Sequence, residues 1–89
     1  MRMISIAGTR LETLRKDLNK GRKIILTRES GNQLIISRWV NRETGDEYFE
    51  SYAFNVTLKT KTPTLTHLSF KGLAKRLDGL GFIKYETTK

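Results

Sequence analysis

Three runs decide the fold of this chain: Arg22-Lys23-Ile24-Ile25-Leu26-Thr27-Arg28, Asn32-Gln33-Leu34-Ile35-Ile36-Ser37-Arg38-Trp39-Val40-Asn41, and Glu47-Tyr48-Phe49-Glu50-Ser51-Tyr52-Ala53-Phe54-Asn55-Val56-Thr57-Leu58. They are rich in β-branched and aromatic residues and are separated by short stretches that contain glycine, so residues 22–58 read as an antiparallel meander. Glu29-Ser30-Gly31 suits a hairpin loop with Gly31 in the left-handed conformation, and Glu43-Thr44-Gly45 suits the same turn.

These turns predict a register. Leu26 faces Leu34 and Ile24 faces Ile36 in the first hairpin. In the second, Arg42 faces Asp46, Val40 faces Tyr48, Arg38 faces Glu50, Ile36 faces Tyr52 and Leu34 faces Phe54. Opposite-charge and aromatic–branched pairs then fall into place together, and a slip of one residue breaks the set. One face, with Ile24, Leu26, Leu34, Ile36, Val40, Tyr48, Tyr52, Phe54, Val56 and Leu58, is expected to be the core. The other, mixed face carries Lys23, Ile25, Thr27, Ile35, Ser37, Trp39, Phe49, Ser51, Ala53 and Asn55, with Trp39 opposite Phe49.

Outward from the meander, Leu11, Leu14 and Leu18 set a helical stripe over 10–20, with Thr9 and Glu12 as a capping box and Gly21 as the stop. After Leu58, a basic, threonine-rich loop holding the only proline, Pro63, leads to a short fourth strand near Leu65–Leu68. Ser69 caps a second helix over 70–80, with Phe70, Leu73, Leu77 and Leu80 as its stripe, Gly81 as its end, and Gly72 and Gly79 as marks of close packing. Phe82, Ile83 and Tyr85 add a short strand or dock on the core, and Glu86 to Lys89 fray. The expected fold is α+β: an antiparallel β-meander of about four strands with a C-terminal α-helix (β-β-β-β-α), preceded by a short N-terminal helix. It forms a single domain, with residues 1–21 as arm and helix, 22–68 as sheet, 69–81 as helix and 82–89 as tail.

The 89 residues carry 17 Lys and Arg against 9 Asp and Glu, a net charge of +8, and no cysteine. Such an excess seeks a polyanion, nucleic acid before an anionic membrane. So short a chain buries a small core without disulfides, which favours a homodimer. No run is long enough to span a bilayer, and the first eight residues are too short for a signal-peptide core, so an intracellular location (cytoplasm, nucleoid or nucleus) is expected. One histidine and no cysteine offer no metal cluster or thiol chemistry. His67 lies beside a helix cap, the carboxylates are scattered and no phosphate loop occurs, so neither an enzyme nor a cofactor is expected.

A basic surface with exposed rings suits single strands, whose bases stack on aromatics while their phosphates meet cations. The candidate residues are Lys23, Arg28, Arg38, Trp39, Arg42, Phe49, Lys59 and Lys61. Arg38 and Arg42 have competing structural partners in Glu50 and Asp46, and Trp39 with Phe49 suits a dimer seam as well as base stacking.

From Leu26 to Leu80 the chain resembles the positive cofactor four family of transcription coactivators and single-stranded DNA-binding proteins. The residues that carry the resemblance are Arg28-Glu29-Ser30-Gly31, Leu34-Ile35-Ile36-Ser37-Arg38-Trp39, Glu43-Thr44-Gly45-Asp46 and Leu68-Ser69-Phe70-Lys71-Gly72-Leu73-Ala74-Lys75-Arg76-Leu77. The resemblance implies a protomer that dimerises through its C-terminal helix and holds single-stranded or unwound DNA on its sheets in transcription, replication or recombination. Small size and high basicity suit a viral or bacterial member. Ser30 and Asn32 depart from the family's aromatic and basic positions, and the basic threonine loop is extra. Two other readings are a double-stranded RNA-binding-like module, from the helix–three strands–helix order, and a small protein–protein inhibitor of a host nucleic-acid enzyme that uses exposed aromatics.

Overall fold

The first hairpin forms as the sequence predicts. The N–H of Arg28 donates to the carbonyl of Asn32 at 2.8 Å, and Gly31 sits at φ 90° and donates back to Arg28. The structure is a computed structural model that describes residues 3–6 and 8–88. Met1, Arg2 and Ala7, from the segment weighed as a leader, and Lys89, the end of the expected frayed tail, lie outside these residues. The elements are β1 (Ile4–Ser5), α1 (Thr9–Asn19), β2 (Lys23–Thr27), β3 (Gln33–Val40), β4 (Glu47–Asn55), β5 (Thr60–Lys61), β6 (Leu65–His67), α2 (Phe70–Leu77), β7 (Gly81–Phe82) and β8 (Lys84–Thr88). The protein is α+β. Its antiparallel sheet has the order β5-β4-β3-β2-β8 with β6 also on β4, while β1 pairs with β7.

The second hairpin departs from the predicted register by one residue. Asn41 donates to the carbonyl of Asp46 at 2.8 Å and accepts from Gly45 at 2.8 Å, which closes a loop over Arg42-Glu43-Thr44-Gly45. Its side-chain Oδ1 accepts from the N–H groups of Glu43 at 2.9 Å and Thr44 at 3.3 Å. An asparagine at this position thus satisfies the loop's own donors and makes it one residue longer than the loop of the first hairpin. Val40 consequently faces Glu47, Trp39 faces Tyr48, Arg38 faces Phe49, Ser37 faces Glu50, Ile36 faces Ser51, Ile35 faces Tyr52 and Leu34 faces Ala53. Every β4 side chain exchanges faces relative to the expected register. Phe49 and Ser51 enter the core, whereas Tyr48, Tyr52 and Phe54 leave it. Packing favours this outcome as well, because two tyrosines inside would bury two hydroxyls that need partners, and Phe49 brings none.

The same device ends β4. Asn55 Oδ1 accepts from Thr57 and Leu58, each at 3.0 Å, and Lys59 takes φ 55° where the previous loop has Gly45. The strand therefore stops at Asn55 rather than Leu58, and Val40, Val56 and Leu58, expected in the core, are exposed.

Both helices contribute to one core on one face of the sheet. Leu14 and Leu18 of α1 and Leu73 and Leu77 of α2 are fully buried with Ile24, Leu26, Ile36, Phe49 and Phe82. Each such side chain contributes roughly 1.5–3 kcal/mol. Gly8, rather than Thr9, caps α1. At the other end Gly21 donates to Leu18 and Arg22 to Asp17, the paired bonds of a left-handed helix stop. Ser69 caps α2 as expected, accepting from Gly72 at 3.1 Å. That helix ends at Leu77, with Gly79 in the following turn, earlier than the expected end at Gly81. The closely packed glycine is Gly81, against the Met3 side chain, whereas a Cβ at Gly79 would meet open space.

The helix is not the last element. Glu86 to Thr88, expected to fray, belong to β8, which pairs with β2 through Ile24–Thr87 and Leu26–Tyr85. The Tyr85 hydroxyl donates to Asp17 Oδ2 at 2.7 Å and ties this edge to α1. On the opposite edge, Thr62 still pairs with Ala53 while Leu65 pairs with Ser51, so Pro63 and Thr64 together oppose Tyr52. This bulge is how a proline fits an edge strand.

Asn41→Ala is expected to lower the unfolding free energy by about 1 kcal/mol, read from urea unfolding. Proton–proton contacts between the Trp39 indole and the Tyr48 ring, measured by NMR, are expected; contacts between Trp39 and Phe49 in their place would contradict the register.

Candidate functional site

Strand alternation leaves the second face of the sheet without a helix above it, because both helices place their leucines on the other side. Four rows of side chains cross this uncovered face. Lys84, Thr27, Gln33, Phe54 and Lys61 form the first, and Glu86, Ile25, Ile35 and Tyr52 the second. Ser37, Glu50 and Thr66 form the third, and Trp39 and Tyr48 the fourth. Continuing the β2–β3 register sets Lys23 opposite Ser37.

The rings on this face are Trp39, 48% exposed, and the half-buried Tyr48, Tyr52 and Phe54. Ile35, between Ile25 and Tyr52, is only 7% exposed although it lies outside the helix-covered core. The face thus has a firm apolar centre with rings around it. Lys61 Nζ lies 4.7 Å from the centroid of the Tyr52 ring, a cation–π contact that presents a charge beside an aromatic surface. Arg28 and Lys59 are exposed in the turns at the Phe54 end, and those two turns approach each other at Gly31 and Val56. Arg42 is exposed in the turn beyond Trp39.

Of the residues singled out in the sequence, Lys23, Trp39 and Lys61 share the uncovered face, and Arg28, Lys59 and Arg42 stand at its two ends. Arg38 and Phe49 do not belong with them. Phe49 is fully buried on the helix side, and Arg38 beside it on that face donates through Nε to Glu47 Oε1 at 2.8 Å. The expected Arg38–Glu50 pair is therefore replaced by Arg38–Glu47. The residues that the sequence reading missed are Tyr48, Tyr52, Phe54 and Lys84. The local signal for the first three is Asn41 four residues before Gly45, which fits the longer loop as Gly45 also fits the shorter one; the longer loop moves them outward.

The helix side has its own electrostatic centre. Glu47 accepts from Arg15 Nη2 at 2.6 Å as well as from Arg38. Hydrogen bonds from Arg15 and then Arg38 hold its carboxyl at about 2, against burial, which opposes them. The Arg15 guanidinium lies 5.4 Å from the Phe49 ring centroid and 5.0 Å from that of Phe70, and those rings meet edge to face at 5.7 Å. These contacts lock α1, β3, β4 and α2 together.

His67 Nε2 lies 2.9 Å from the buried Ser51 Oγ. Burial, and then the charge of Arg76, lower the pKa of His67, which favours the neutral ring that pairs with a hydroxyl. This pair fastens β6 to β4. Among the described residues, no helix is long and apolar enough to cross a membrane. No family model matches the chain, and neither a curated protein nor a solved structure matches it.

The pH dependence of stability follows from Glu47. Its folded pKa lies below its ordinary value of 4.5, so its contribution is complete above about pH 4.5 and is lost as the pH falls toward 2. Thermal unfolding of the wild type is expected to show this acid limb. Glu47→Gln is expected to flatten it and to cost about 1–2 kcal/mol at pH 7, because two partly exposed arginines lose the charge of their shared partner and one of its two acceptor oxygens.

Proposed function

We propose that the uncovered sheet face binds single-stranded nucleic acid, DNA by preference, without strong sequence preference, in transcription, replication or recombination. The observation that carries this reading is the set Trp39, Tyr48, Tyr52 and Phe54 on one helix-free face, with Lys23, Lys61 and Lys84 on the same face. Rings offer every base a stacking surface, and lysines at the margins meet the phosphates. At about 3.4 Å per residue, Tyr48 to Phe54 spans roughly 20 Å along β4, enough for several bases. Arg28 and Lys59 extend the positive charge at the Phe54 end.

A second reading has its own support. Both helices pack on one face, in the order helix–strands–helix, and they expose Arg10, Lys16, Lys20, Lys71, Lys75 and Arg76. That surface suits a duplex, with RNA recognised through its backbone and shape. Dimerisation through α2, which the resemblance implies, has less to draw on. Leu73 and Leu77 are buried within the protomer, which leaves Lys71, Lys75 and Arg76 outward.

The test is fluorescence anisotropy with single-stranded DNA, duplex DNA and duplex RNA over a salt series, with light scattering for mass. Single strands are expected to bind tightest and to quench Trp39. Tyr52→Ala is expected to weaken them about tenfold with unchanged circular dichroism. Lys61→Ala is expected to reduce the slope of log affinity against log salt by about 0.7. Absence of binding to all three at low salt overturns the proposal. Preference for duplex RNA that survives Tyr52→Ala and falls with Lys75→Ala establishes the second reading. A dimer that Trp39→Ala dissociates, with no change in single-strand affinity per protomer, assigns the face to self-association.

A further inference from the structure

We infer that Glu50 makes the uncovered face selective for guanine at one position of a bound single strand, an inference that rests on the single-strand reading above. Glu50 lies on the uncovered face in the row next to the apolar centre at Ile35. Tyr48 and Tyr52 flank it along β4, and Ser37 and Thr66 flank it across the strands. The ion pairs among the described residues are Arg15–Glu47, Arg22–Asp17, Arg38–Glu47 and Lys84–Glu86, so Glu50 has no cationic partner there. This follows from the longer second loop, which turns Glu50 away from Arg38 and out onto the face.

A carboxylate amid a polyanion's binding surface repels phosphate and accepts hydrogen bonds only. It becomes favourable where a base presents donors. Guanine presents two adjacent donors on its Watson–Crick edge, N1–H and N2–H, which match the two oxygens of one carboxylate. Cytosine and adenine each set their amino group beside an acceptor nitrogen. Thymine sets its single N–H between two carbonyl oxygens, which the carboxylate repels. Bases unstacked from their strand are read on such edges while their rings rest on aromatic side chains. Tyr48 and Tyr52, two residues to either side on the same face, are placed to hold the neighbouring bases and leave one base above Glu50.

The ring stacking and the carboxylate act on different properties of the strand, and one set of titrations separates them. The probes are fluorescein-labelled twelve-nucleotide thymidine strands, unsubstituted or carrying guanine, inosine or adenine at alternate positions, titrated with the wild type and with Glu50→Gln. The wild type is expected to bind the guanine strand about fivefold tighter than the thymidine strand, and inosine, which lacks the N2 amino group, is expected to lose most of that gain. Glu50→Gln is expected to bind the thymidine strand more tightly and to bring the two strands within about twofold of each other. Equal affinity of the wild type for all four strands, or a guanine preference that Glu50→Gln leaves intact, overturns the inference while single-strand binding stands. Failure of the wild type to bind any of the strands overturns the single-strand reading itself and this inference with it.

Discussion

The pairing of Asn41 with Asp46 across four loop residues is the constraint on which the rest of the structure depends. The Asn41 side chain satisfies two backbone donors inside the loop, so the longer turn carries no unpaired N–H at Glu43 or Thr44. Because strand side chains alternate, that one added residue decides which half of β4 meets the helices. Phe49 becomes the floor on which Phe70 and the Arg15 guanidinium rest. Glu47 comes within reach of Arg15 and Arg38 together, and the tyrosines of β4 come out.

A sheet covered on one side only suits a chain of 89 residues, which has too few apolar side chains for two cores. The leucines of both helices converge on one layer, and the edges are handled differently. The outer edge of β4 is covered by β5 and β6 with the Pro63 bulge between them, while β8 covers β2 and is held by the Tyr85–Asp17 bond. Burial first, and then the bond to Asp17, raise the pKa of Tyr85, so the hydroxyl keeps its proton and serves as donor. Aromatic residues on the remaining face are left with neighbours of their own kind and with water.

That distribution organises the functional reading. The positive charge is not confined to one side, since α1 and α2 expose cations too. What distinguishes the uncovered face is the combination of rings, margin lysines and, beside its apolar centre, the Glu50 carboxylate, which has no ion-pair partner among the described residues. Charge alone accounts for attraction to any polyanion; rings at strand spacing favour unpaired bases over a stacked duplex.

The sequence by itself determined the α+β class, the three-strand meander, the first hairpin with its register, the Ser69 cap and the leucine stripes. Each of these is a local matter of loop chemistry or periodicity, as Gly31, Ser69 and the spacing of Leu14, Leu18, Leu73 and Leu77 show. It also placed Lys23 and Trp39 on one face, because β2 and β3 follow from the first turn; Lys61, read as part of an exposed loop, joins that face only through its pairing beside Phe54. Only the tertiary structure decided the face of β4, and with it the exchange of Phe49 for Tyr48, Tyr52 and Phe54. Both registers offered plausible cross-strand pairs. The choice was made by the Asn41 loop bonds acting together with Phe70, Arg15 and Glu47, residues distant in sequence that meet only when the helices close over the sheet. The tail was decided in the same way: Glu86 to Thr88 have little to hold them locally, and they are ordered because β2 offers an open edge and Asp17 a partner for Tyr85.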